Sequence, residues 1–247
     1  MHILAVADLH YALRQLDWID SVAGDFDLLI LGGDELDVAS SVPVDAQIKV
    51  IGRYLEAYAE KTTVIVNSGN HDLDARAPDG EKVASWLPRI EHRRIHADGA
   101  SIELEGIRFS VCPWWDGPFA RARVEAMLEI DEARRGPMWA WVYHSPPAGP
   151  LSWSGQRHFG DDVVEAWIER FRPDFVFAGH VHQSPFTTEG SWVQRLGETW
   201  VFNAGRDASQ IPTHVIVNTA EQLATWWSPY GAETMRLDEP DVLPLPA

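Results

Sequence analysis

The chain of 247 residues is short of three things, and each shortage excludes something. It has one cysteine, Cys112. No intramolecular disulfide can form, and zinc or iron–sulfur sites built from clustered thiolates are ruled out. Cys112 ends the apolar run Ile107–Cys112 and reads as a small buried side chain in a strand. Long hydrophobic runs are missing too: no stretch reaches the ~18 consecutive apolar residues that a membrane span needs. Nor does the N-terminus show a basic segment, an apolar segment and a cleavage site in succession. Met1 leads straight into His2-Ile3-Leu4-Ala5-Val6-Ala7-Asp8, which reads as a core strand. A cytoplasmic location is the expectation. Basic residues are the third shortage: 20 Lys and Arg stand against 37 Asp and Glu, a formal charge of −17. Non-specific nucleic-acid binding, which works by displacing counterions from phosphates, is not expected, and neither is adhesion to anionic membranes. A small anion can still be held at a local positive site.

What is present is alternation. Ile3–Ala7, Asp27–Leu31 and Thr63–Val66 are short, nearly uninterrupted apolar runs, the pattern of strands buried on both faces. Val44–Lys61 carries Ile48, Ile51, Leu55 and Tyr58 at helical spacing. The first half therefore reads β, β, α, β beside a largely parallel sheet. Ser101–Leu104 and Ile107–Cys112 flank Glu105-Gly106 as a hairpin. Phe119–Arg135 reads as a helix stopped by Pro137, Trp139–Tyr143 as a strand, Asp162–Phe171 as a helix and Asp174–Ala178 as a strand. Four more short strands follow: Trp192–Leu196, Thr199–Asn203, His214–Val217 and Leu223–Trp227. Two sheets between helices accommodate this order. Residues 1–237 are read as one domain, and 238–247, with Pro240, Pro244 and Pro246, as an extended or disordered tail.

Five polar segments each follow an expected strand: Asp8-Leu9-His10, Gly32-Gly33-Asp34-Glu35-Leu36-Asp37, Gly69-Asn70-His71-Asp72, His144, and Gly179-His180-Val181-His182. Five of the ten histidines fall here. In a mostly parallel sheet the loops after the strands gather on one edge, where ligands bind. Aspartate, asparagine and histidine together offer hard oxygen and borderline nitrogen donors, which suit manganese, iron or zinc. Turn-forming acids and glycines account for part of the pattern, but not for five histidines at strand ends. His180 and His182 would point to opposite sides of an extended segment. Either the loop turns both inward, or one metal ion sits on each side.

The order D-x-H, G-D-x-x-D, G-N-H-D, H, G-H-x-H resembles the calcineurin-like metallophosphoesterase superfamily, and it runs from Asp8 to His182, about seven-tenths of the chain. The closest kind within it is the small stand-alone bacterial phosphoesterase. Phe202-Asn203-Ala204-Gly205 is similar to that superfamily's N-P-G segment, with Ala204 in place of proline. The resemblance implies a four-layer α/β/β/α sandwich and a centre of two divalent ions. Asp8, His10 and His182 would hold one ion, Asn70, His144 and His180 the other, and Asp34 would bridge them. A hydroxide bridging the metals would attack phosphorus in line. His71 would aid the leaving group and Asp37 would orient His71. Asp72 is read as a turn residue.

For substrate, the resemblance implies a small phosphate ester. The superfamily's protein phosphatases have arginine after the second motif and G-N-H-E as the third. Val38 and Asp72 stand there instead, which disfavours a phosphoprotein. A small phosphodiester, with cyclic nucleotides among the options, is the leading expectation. A phosphomonoesterase and a metal-free interaction scaffold are the alternatives. Trp114, Trp115 and Trp153 are candidates for stacking against substrate, and Arg157 and Arg206 for touching its phosphate.

Overall fold

The computed structural model describes residues 1–239 and 245–246. Its larger sheet centres on His2–Val6, which runs parallel to Leu28–Leu31. Thr63–Val66 and Ile95–His96 continue outward on that side, again parallel. On the other side His2–Val6 meets His214–Asn218 antiparallel, followed by Leu223–Ser228 and Gly231–Arg236. The second sheet has the order Val193–Leu196, Thr199–Asn203, Phe175–Ala178, Met138–Val142, Ile107–Val111, Ser101–Leu104. Its four inner strands are mutually parallel, and the two edge strands are antiparallel.

Side-chain alternation turns these sheets into layers. Along His2–Val6, Ile3 and Ala5 face the second sheet, whereas Leu4 and Val6 face helices. Leu28 and Ile30 point inward and Leu29 and Leu31 outward by the same period of two. From the second sheet Phe109, Val142, Phe177 and Phe202 fill the space between the sheets. Trp139, Trp141, Val176 and Val201 point the other way, onto helices Pro118–Glu132 and Asp162–Phe171. Helices Leu13–Val22 and Val44–Lys61 cover the first sheet through Leu16, Ile19, Ile51, Leu55 and Tyr58. The result is the expected α/β/β/α sandwich. No helix among the described residues is long and apolar enough to cross a membrane.

Some elements depart from the sequence reading. Helix Leu13–Val22 was not anticipated: Ala12 precedes it and no side chain caps it, so the usual start signal is missing. Strand Gly231–Arg236 was also missed, because it is an outer strand with little apolar content. The third long helix begins at Pro118 and ends at Glu132, before Pro137 can act. Arg135, freed from it, donates to the carbonyls of Phe171 and Arg172 at the end of helix Asp162–Phe171. The tail expected from residue 238 lies mostly outside the described residues, apart from Leu245–Pro246, which pairs with Glu233 and Thr234.

The topology fixes where the chemistry gathers. Val6, Leu31 and Val66 end parallel strands of one sheet, and Val142, Ala178 and Asn203 end parallel strands of the other. The two carboxyl edges meet. His144 Nδ1, after a strand of the second sheet, donates to the Gly32 carbonyl of the first at 2.7 Å.

One buried contact sets the helical layer on the first sheet. The Tyr58 hydroxyl donates to the Leu16 carbonyl at 2.9 Å and so joins the two helices of that layer. Tyr58→Phe removes this bond while the Leu16 carbonyl keeps its partner within the helix, so stability should fall by about 1 kcal/mol. Urea unfolding with an unchanged slope checks this; an unchanged midpoint would show that the hydroxyl contributes nothing.

Candidate metal centre

The site is assembled first by backbone. Asp8, His10, Asp34 and His180 all lie in the left-handed region, at φ 57, 43, 57 and 69°. Non-glycine residues there cost about 1–3 kcal/mol each and persist only when their surroundings hold them. A ladder of bonds does so: Asp8 N–H donates to Gly33, His10 N–H to Asp34 and Tyr11 N–H to Glu35, each at 2.9 Å. The third loop is tied in by Asp72. This fully buried carboxylate is more than a turn residue: it accepts from the N–H groups of Asp34 and Gly69 at 2.8 Å and of Leu36 at 2.9 Å. His71 N–H in turn donates to Asp34 Oδ1 at 2.8 Å. The fifth loop closes on Asp8, whose carboxylate accepts from His180 N–H at 2.9 Å.

The side chains then converge in two end groups, joined by a third made of His10, Asp34 and His71. In the first, His182 Nε2 lies 3.1 Å from both His10 Nε2 and Asp8 Oδ1. In the second, His144 Nε2 lies 3.3 Å from Asp34 Oδ2. The donor atoms of Asp8, His10 and His182 fall within 4.8 Å of one another, and so do those of Asp34, His144 and His180. Asp34 belongs to both neighbourhoods, since its Oδ2 is also 3.7 Å from His10 Nε2. His180 and His182 serve different groups, as the left-handed turn at His180 allows.

Two orphaned atoms show that this donor set fits metal ions. His144 Nδ1 is spent on Gly32, which leaves Nε2 facing the cluster, buried and without a hydrogen bond among the described residues although Asp34 Oδ2 is 3.3 Å away; on losing its proton that nitrogen offers a lone pair. Asn70 Oδ1 is likewise buried and without a partner. Such groups are costly unless something satisfies them. A cation satisfies both, and a backbone bond on the far nitrogen is the usual way to orient a ligating histidine. The approach is tight: a Cβ at Gly69 would collide with the Asp34 side chain, and one at Gly179 would come within 2.6 Å of Asp8 Oδ2.

Charge is arranged to match. Burial is the largest influence and would raise the Asp8 and Asp34 carboxyls. The charge of His144, its close approach to Asp34, and hydrogen bonds from His182 to Asp8 and from the His71 backbone to Asp34 outweigh it, and both stay below the ordinary carboxylate value. Burial pushes the imidazoles of His10 and His180 down to about 4, so both are neutral at pH 7. His144 goes the other way. Burial lowers it, but the carboxylates of Asp34 and Asp8 prevail and carry it up to about 10. Glu35, behind the centre, is wholly buried, and neither carboxyl oxygen has a partner. Burial and then the charges of Asp72, Asp34 and Asp8 push it far upward, so it is a neutral acid.

The remaining candidates separate. His71 joins the cluster: its Nε2 is 3.9 Å from Asp34 Oδ2, and its ring meets His10 edge-on at 4.6 Å. Asp37 does not reach it. The Asp37 carboxylate accepts from Ala39 N–H at 2.8 Å, capping its own loop, while His71 Nδ1 has no partner among the described residues. Trp114 flanks the site, 5.4 Å from His180 and 5.7 Å from His144. Trp115 instead stacks on Tyr143 at 4.1 Å, and Trp153 lies against His158. Asn203 fills the role suggested by its motif despite Ala204. Its amide donates to Val181 and Leu151 carbonyls at 3.1 Å and so supports the loop that carries His180 and His182.

Two outcomes follow. A ligating imidazole is neutral, so metal loading must expel the His144 proton, and the apparent affinity rises with pH up to about 10. Titration calorimetry at pH 8 in buffers of different ionisation enthalpy should show about one proton released per chain; a buffer-independent heat would remove His144 from the ligand set. Gly69→Ala should displace Asp34 and lower the metal content of the protein while the far-ultraviolet circular dichroism stays native.

Comparison with known proteins agrees with this geometry. The family model described as calcineurin-like phosphoesterase matches residues 1–184. A protein of Caenorhabditis elegans, UPF0046 protein K07C11.7, is 24% identical over 231 residues, 88% of this chain and 74% of that one. Purple acid phosphatase 21 of Arabidopsis thaliana is 26% identical over 196 residues, 69% of this chain but 42% of the plant protein. The crystal structure of TT1561 of Thermus thermophilus superposes over 96% of this chain and 98% of its own, with a TM-score of 0.62 at 16% identity, a likeness of fold. On the family match, and with these ligands at these strand ends, the chain belongs to the calcineurin-like phosphoesterase family.

Proposed function

We propose that this phosphoesterase is a dinuclear hydrolase of small phosphate esters, with phosphodiesters as its preferred class. The observation that carries the reading is the run of overlapping groups, with Asp8, His10 and His182 at one end, Asp34, His144 and His180 at the other, and Asp34 Oδ2 3.7 Å from His10 Nε2 between them, beside the buried and unpartnered His144 Nε2 and Asn70 Oδ1. Asp8, His10 and His182 would hold one ion and Asn70, His144 and His180 the other, with Asp34 available to both. Oxygen and imidazole donors favour manganese, iron or zinc. When bound, such ions activate water for attack on phosphorus and neutralise phosphoryl oxygens.

The chain's own residues set the rest. Glu35 stays neutral and adds no charge behind the ligands. His71, its side chain 27% exposed beside Asp34, can meet the departing alkoxide with a proton from Nε2. The absence of a carboxylate on Nδ1 means that packing against His10 orients the ring, not Asp37. Val38, exposed after the second motif where the protein phosphatases carry arginine, speaks against a phosphoprotein substrate, and the diester preference rests on the resemblance of His144-Ser145-Pro146-Pro147 and the loop after it to small stand-alone phosphoesterases. A cytoplasmic setting and indifference to membranes and nucleic acid belong to the same proposal, and rest on the acidic charge and the lone cysteine.

Metal analysis combined with a panel of mono- and diesters under manganese tests the reading. Two ions per chain and faster diester cleavage are expected. A fully loaded protein that hydrolyses no ester would overturn the enzyme, and monoesters outpacing diesters would overturn the preference. His71→Ala should keep both ions and slow turnover by about 10²–10⁴ on alkyl esters, much less on p-nitrophenyl esters. Equal losses on both would remove His71 from the proton transfer.

A further inference from the structure

Arg206 stands beside the site in an unusual condition. Three arginines are half-buried: Arg94, Arg108 and Arg206. Arg94 donates to the Glu60 carbonyl, and Arg108 pairs with Glu103 and donates to Arg134 and Ser101. The Arg206 guanidinium donates to nothing among the described residues, and its Nε is buried without a partner. In a chain with 37 acidic residues, a sheltered cation with no carboxylate beside it is out of keeping with its surroundings. A buried donor left unmade is costly, more so when it is charged.

The backbone holds this arginine in place from both sides. Before it, Asn203 Oδ1 accepts from Gly205 N–H at 2.9 Å, and Gly205 takes a left-handed φ of 66°. A Cβ there would come within 2.8 Å of the His182 carbonyl, so the chain passes directly against the ligand loop. Arg206 N–H then donates to that carbonyl at 3.0 Å. After it, Gln15 Nε2 clasps the Asp207 and Ser209 carbonyls at 2.8 and 2.9 Å. The charge also reaches His10, another ligand of the first group. By contrast Arg157 is exposed and lies over the Phe159 ring at 4.3 Å.

We infer that Arg206 is a substrate-anchoring residue, whose guanidinium binds a non-bridging phosphoryl oxygen of the ester held at the metal ligands. The planar fork of N–H donors matches two phosphoryl oxygens or one of them doubly, which a lysine cannot reproduce. The missing partner is supplied by the substrate, so the free protein leaves the donors unmade and the complex satisfies them. This assignment rests on the phosphoesterase reading for the identity of the anion.

Binding of inorganic phosphate to the manganese-loaded protein, measured by calorimetry, tests it without turnover. Arg206→Met keeps the apolar stem and removes the charge. It should weaken phosphate binding roughly 10- to 100-fold, the worth of a charged hydrogen bond, and raise KM for bis(p-nitrophenyl) phosphate more than it lowers kcat. Arg206→Lys should recover part of the loss, Arg157→Ala should match wild type, and all three should retain both ions. Phosphate binding within twofold of wild type in Arg206→Met would overturn the inference. So would loss of a metal ion in Arg206→Lys, since the arginine would then be supporting the ligands. Arg206-dependent phosphate binding in a protein that hydrolyses no ester would sink the hydrolase and leave the anchor standing; hydrolysis indifferent to Arg206 would sink the anchor alone.

Discussion

The Asp72 carboxylate is the contact on which the rest of the site depends. By accepting from Asp34, Leu36 and Gly69 at once, it locks the loop after one strand to the loop after the next. That support helps hold Asp34 in its left-handed conformation, and the Asp34 side chain lies between the two end groups, in contact range of both His10 and His144. The acid that does the organising touches neither group itself. It acts on backbone, where both of its oxygens accept N–H bonds of fixed geometry, even though burial and the neighbouring Asp34 push its carboxyl up to about 7.

The sandwich supplies the complementary constraint. Each ligand group draws on both sheets: Asp8 and His10 come from the first and His182 from the second, while Asp34 comes from the first and His144 and His180 from the second. The aromatic packing of Phe177 and Phe202 against Ile3 and Ile30 therefore sets how closely the two carboxyl edges approach. A shift between the layers would separate the members of both groups together. The core is in that sense part of the centre, and its close packing makes the ligand spacing stiff.

Legibility in the sequence followed the range of the interaction. Val44–Lys61 was readable to the residue because its apolar face repeats locally and Pro43 marks its start. The gathering of Asp8, His10, Asp34, His144, His180 and His182 at one edge was readable because the strand ends that carry them are marked by apolar runs and glycines. Helix Leu13–Val22 was not, because its stability comes from Leu16 and Ile19 packing on a distant layer and no cap announces it. Asp72 was misread since its partners are amides 36 to 38 residues away as well as one nearby, and amides carry no sequence signature. Asp37 erred in the opposite direction. Its position suggested a long reach to His71, but an aspartate in a loop readily bonds the N–H two residues on, and that local bond prevailed.

The pairing of His182 with Asp8 joins positions 174 residues apart. Whatever binds between them acts on the chain as a cross-link, closing a loop that includes both sheets. Most of its stabilising effect would be felt in the unfolded ensemble, whose freedom it curtails, and the logarithmic dependence on loop length makes so long a closure worth more than a short one. Occupation of the centre by metal thus belongs to the thermodynamics of the whole polypeptide: conditions that strip the ions would reopen a long loop of the chain and weaken layers far from any ligand.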